Sequence, residues 1–78
     1  MARFYFDIRD CDKFIRDDDG LDYPDTETAR DEAAVALAEM AKHHLLGAAV
    51  REIAIEVRDE AKEPLFRTVL RFEVQSLR

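Results

Sequence analysis

Seventy-eight residues with two glycines, two prolines, no tryptophan and one cysteine hold one small domain spanning 1–78, which excludes a two-domain enzyme or a machine of several cofactors. Eighteen acids against twelve bases give a net charge of −6, which argues against nonspecific binding to nucleic acid or to an anionic membrane. The 38% charged residues alternate with the 47% hydrophobic ones, so the chain is globular and not disordered, and at this size self-association would add welcome stability.

The first element is a strand. From Arg3 to Arg9 the residues alternate strictly, with Phe4, Phe6 and Ile8 on one face and Arg3, Tyr5, Asp7 and Arg9 on the other. Asp10-Cys11-Asp12 supplies turn formers, and Phe14-Ile15-Arg16 pairs back as a short second strand until the acidic run Asp17-Asp18-Asp19-Gly20 stops it. Leu21 to Tyr23 adds a little extended chain. Pro24 then keeps Tyr23 out of helical geometry, and Asp25 is placed to accept hydrogen bonds from the first free amides of a helix.

Along the helix Ala29, Ala33, Ala36, Leu37, Met40, His44 and Leu45 recur at spacings of three and four and form one apolar stripe. Acids crowd its start and Lys42, His43 and His44 its end, as the helix dipole favours, and Gly47 is the natural stop. Two longer strands follow. Ile53, Ile55 and Val57 form the apolar side of Glu52 to Arg58; Phe66, Thr68, Leu70, Phe72 and Val74 form that of Leu65 to Val74. The loop from Asp59 to Pro64 suits an antiparallel hairpin. The order is ββαββ, and the simplest object that buries every stripe is an α+β fold: a four-stranded, mainly antiparallel sheet with one helix packed on one face.

Two surfaces are candidates for function. The sheet face away from the helix carries Arg3, Tyr5 and Asp7, then Ala54, Glu56 and Arg58, then Leu65, Arg67, Val69 and Arg71. It reads as a solvated face with cross-strand Arg to Asp or Glu pairs, or as a homodimer contact made by stacking such faces or pairing edge strands, since Tyr5, Leu65 and Val69 are larger than a solvated face requires. RNA binding by this sheet is a third reading, opposed by the inward Phe4 and Phe6 and by the missing glycine-aromatic strand motif. The second surface is acidic. Residues 1–32 hold eleven acids against five bases while residues 33–78 hold seven of each, so the whole excess lies in the front half, around Asp17, Asp18, Asp19 and Asp22. Solubility and turn formation explain it, as does a surface that meets a basic protein partner.

Assembled chemistry is not expected: no catalytic residue, no cofactor and no metal. With Gly20 at the sixth position of a calcium loop, Ile15 and Thr26 fall where carboxylates are needed. His43 and His44 are adjacent and about 100° apart on a helix, and Glu39 with His43 makes two ligands, too few for zinc. Ser76 and the threonines lie in no catalytic context, and two glycines cannot build a phosphate loop. Cys11 lies between Asp10 and Asp12, which disfavour a thiolate, and is a reduced loop residue. With no long apolar run and no secretory segment, the expected location is the cytoplasm, with no membrane or nucleic-acid partner.

The segments Arg3-Phe4-Tyr5-Phe6-Asp7, Asp17-Asp18-Asp19-Gly20-Leu21, Pro24-Asp25, Ala29-Arg30-Asp31-Glu32-Ala33 and Ile55-Glu56-Val57-Arg58-Asp59-Glu60 together resemble a family of short bacterial proteins defined as a domain of unknown function. The resemblance covers nearly the whole chain and implies a small stand-alone protein without transferring any site; Lys62-Glu63 departs from it where the family's loop often has glycine. Asp25-Thr26-Glu27 and Ala33 to Ala38, behind an aromatic first strand and an acidic glycine turn, are more loosely similar to the antitoxin half of HicA-HicB toxin-antitoxin pairs over about the first 46 residues. That likeness implies a basic toxin facing the acidic front half.

Overall fold

A computed structural model describes residues 1–45, 47–61 and 63–78, leaving the side chain of His44 outside. The packing expected of His44 and the loop departure at Lys62 therefore lie outside the described residues. Six elements follow in order: β1 (Ala2–Asp10), β2 (Lys13–Ile15), β3 (Leu21–Tyr23), α1 (Thr26–His44), β4 (Val50–Arg58) and β5 (Pro64–Glu73). The α+β class and the helix on one sheet face stand as expected; the sheet has five strands because Leu21 to Tyr23 pairs fully with β1, opposite Ala2 to Phe4.

All pairing is antiparallel, in the order β2-β1-β4-β5, and β2 and β3 meet β1 at different places along its length. The first hairpin turns on Cys11, whose φ of 58° supplies the positive angle that a two-residue hairpin needs. Asp25 caps α1: its carboxylate accepts the Thr28 amide at 2.8 Å while its carbonyl accepts that of Ala29. The helix ends at His44, and Gly47 follows at φ 82°.

The core lies between the sheet and α1. Phe4, Ile53, Ile55 and Val57 from the sheet meet Ala29, Ala33 and Leu37 from the helix, all nearly or wholly buried. The alanines let α1 lie close to β4 and β5, the strands it chiefly covers, with a lighter contact to β3. One element of the expected stripe shifts: Ala41 is buried, completing an i, i+4 row with Ala29, Ala33 and Leu37, whereas Ala36 is exposed. The row that touches the sheet follows the helix's tilt over β4 and β5, which the residue types alone do not fix.

Candidate functional site

The face of the sheet opposite the helix is a web of arginines and carboxylates, and its centre is buried. Asp7 on β1 and Arg58 at the end of β4 are 4% and 8% exposed. The guanidinium grips the carboxylate with two hydrogen bonds, Nε to Oδ2 at 2.6 Å and Nη2 to Oδ1 at 3.1 Å, and stacks over the Tyr5 ring at 4.9 Å from its centroid. Nη2 also donates to the backbone carbonyl of Asp17 at 2.9 Å, while the Asp17 amide donates to Asp7 Oδ1 at 2.9 Å.

Asp17 completes this knot from the other direction. One carboxylate oxygen accepts the Phe6 amide at 3.0 Å; the other accepts the amides of Asp19 and Gly20, both at 3.1 Å. In the gap between β2 and β3 a side chain thus does for β1 what a neighbouring strand would do. Gly20 is required beside it: at φ +73° an added Cβ would come within 2.9 Å of the Phe4 carbonyl oxygen and of Arg3 Cγ. Burial pushes both carboxyls up, but Arg58 and the Asp17 amide at Asp7, and three amides at Asp17, outweigh it and hold both below the ordinary aspartate value. The hydrogen bond to Asp7 in turn raises Arg58.

Around the knot the charges are more exposed and cheaper. Glu56 accepts from Arg9 at 3.0 Å and also pairs with Arg67; Arg71 reaches Glu73 at 3.0 Å and Glu52 at 3.8 Å; Arg3 holds Asp22 at 2.9 Å. The cross-strand pairs expected of a solvated face are therefore present. Of the face residues singled out from the sequence, Tyr5 is half-buried under Arg58, Arg3, Arg67 and Arg71 are committed to carboxylates, and Leu65 and Val69 stand exposed. Leu65 is a bulged residue, because Phe66 lies opposite Val57 and Pro64 opposite Arg58.

The four acids expected to form one contact surface differ in their surroundings. Asp17 turns inward to the knot and Asp22 is tied to Arg3; Asp18 lies exposed beside Arg16 at 3.4 Å, and the Asp19 carbonyl accepts from Arg3. Two of the four carboxylates thus serve the fold. Sequence reasoning missed this role because a run of three aspartates before glycine looks like any solvated turn; the available signal was Asp7 and Arg58, opposite charges on one face of two strands that pair.

Two further surfaces emerge. Because α1 sits over β4 and β5, an apolar groove of about 280 Å³ remains between it and the β1–β3 side, lined by Phe6, Ile8, Leu21, Tyr23, Ala36 and Met40 with Asp17 and Glu32 also at its wall. The other is β5 itself, ten residues long and paired on one side by β4 among the described strands. Exposed apolar residues gather along it: Leu65, Val69, Val74 and, opposite Glu73, Val50. Among the described residues no group of three or more His, Cys, Asp or Glu side chains is placed to hold a metal ion, and no helix is long and apolar enough to cross a membrane.

A family model described as a domain of unknown function, DUF6894, matches residues 3–71, from the start of β1 to near the end of β5. The chain belongs to that family. The match takes in both halves of the buried knot, the whole helix and most of the open edge. No curated protein and no solved structure matches the chain.

Proposed function

We propose that this member of DUF6894 is a non-enzymatic interaction module of the bacterial cytoplasm that associates with itself, and that its contact surface is the β5 edge. The observation that carries this reading is the ten-residue strand with apolar side chains beside a row of backbone donors and acceptors that no described strand pairs. Such an edge is normally blunted by short length or covered by another element. The opposite face is a poorer candidate for stacking, since its arginines already have carboxylate partners and burying them would add a desolvation cost. The non-enzymatic reading is supported by the state of the perturbed carboxylates: Asp7 and Asp17 are held as saturated anions, the reverse of a general acid or base poised near neutrality. Sedimentation equilibrium over a wide concentration range is the test. A reversible dimer is expected, and a strict monomer at the highest concentration would refute the reading.

The second reading is an acidic, antitoxin-like partner that neutralises a basic protein. It is favoured by the net −6 confined to residues 1–32, where Asp12, Asp18, Asp31 and Glu32 remain exposed. A complex of this kind weakens steeply as salt rises, whereas strand pairing held chiefly by main-chain hydrogen bonds and apolar flanks weakens little. Affinity purification of the tagged protein at low and high salt separates the two, and recovery of no basic partner at low salt would remove the second.

A further inference from the structure

Opposite residues of an antiparallel pair lie on the same face, so a symmetric pairing of β5 with its own copy must be centred on a residue and not between two. The bulge at Leu65 leaves Phe66 to Glu73 as the regular part, with Val74 continuing the edge through its amide hydrogen bond to the Ala49 carbonyl at 2.8 Å. Five centres then compete, from Thr68 to Phe72, and the charges set opposite each other and the length of regular strand joined decide among them. Centring on Val69 sets Arg67 against Arg71 of the second copy, centring on Arg71 sets that residue against itself, and centring on Thr68 or Phe72 joins only Phe66 to Leu70 or only Leu70 to Val74 of the regular part. Like charges directly opposite are destabilising.

Centring on Leu70 sets no like charges opposite each other and joins the whole regular stretch from Phe66 to Val74. It places Arg67 opposite Glu73 of the second copy, twice by symmetry, and Val69 opposite the aliphatic stem of Arg71. On the helix side Phe66 meets Val74, Thr68 meets Phe72 and Leu70 meets itself. Arg67 and Glu73 are exposed enough to turn toward a new partner, and Phe66, Leu70 and Phe72 are half-buried, with apolar surface left to cover.

Resting on the reading of β5 as the contact edge, we infer that the protein forms a two-fold dimer by antiparallel β5–β5 pairing centred on Leu70, joining two five-stranded sheets into one. The partner is a second copy of this chain, recognised by main-chain hydrogen bonds and by the reciprocal Arg67–Glu73 pairs. The register brings Val69 and Arg71 of the second copy within about 4.5–5.5 Å between Cα atoms, inside disulfide range, and leaves the two Val69 residues diagonal at about 7–8 Å, outside it.

The experiment uses the full chain in a Cys11→Ser background, which removes the native thiol, with Val69→Cys and Arg71→Cys made separately at these exposed positions. Under mild oxidation the mixed proteins are expected to form a disulfide-linked dimer and neither alone is. A link from Val69→Cys alone, or no link in the mixture while sedimentation still shows a dimer, would overturn the register but leave self-association standing. A strict monomer would overturn both.

Discussion

The two sides of this sheet handle the exposed edge of a strand in opposite ways. Outside β1 the chain lays down two three-residue strands and, between them, the carboxylate of Asp17, so that amides along β1 are met by backbone or by side chain. At β5 ten residues run in one stretch with a single neighbour among the described strands and with valines and a leucine in the open. The first side is closed by a buried ionic knot and the second is left available. In the dimer proposed above, a small chain with limited core would gain by using one long edge for assembly while sealing the other against it.

Substitutions should show this asymmetry, and the largest effect belongs to the sealed side. Arg58→Met leaves Asp7 buried without its cation, and unfolding in urea should show a loss of about 3–5 kcal/mol, the usual cost of breaking one half of a buried pair. Asp17→Ala strips the amides of Phe6, Asp19 and Gly20 of their acceptor; a loss of about 1.5–3 kcal/mol is expected, with faster amide exchange at Phe6 and Gly20. Gly20→Ala forces a side chain into a left-handed backbone against the Phe4 carbonyl and should cost at least about 1–2 kcal/mol in the same assay.

Acid should open the same side. Asp7 and Asp17 are held below the ordinary aspartate value, so their contribution is complete above the unfolded value of about 3.9 and drains away as pH falls through their lower folded values. Thermal unfolding followed from pH 6 downward should show stability falling below about pH 4, and Asp7→Asn should flatten that fall while lowering stability at neutral pH. Val69→Lys tests the open side with the smallest effect on the fold. At this exposed position it should change monomer stability by less than about 0.5 kcal/mol and yet weaken self-association, because the proposed register sets each lysine directly opposite Arg71 of the second copy.

Much of the architecture is legible in the sequence. Parity alone places Phe4, Ile53, Ile55 and Val57 in the core, and Pro24-Asp25 marks the helix start to the residue. Residue types also anticipate the Arg to Glu pairs of the open face. What periodicity cannot carry is three-dimensional register. That β4 ends with Arg58 over Asp7, and that the chain folds back to put Asp17 against both, depends on contacts 41 and 51 residues apart in sequence. The same limit explains why Ala41 faces the sheet and Ala36 does not, and why three residues at Leu21 become a strand: each is decided by how neighbours sit, and not by local propensity.

Amide hydrogen exchange along β5, followed as a function of protein concentration, tests the edge most directly. If β5 is where a second copy pairs, amides between Phe66 and Val74 that point away from β4 become protected as concentration rises, while those of β1 and β4 do not change. Exchange at those outward amides that stays fast and independent of concentration would contradict it.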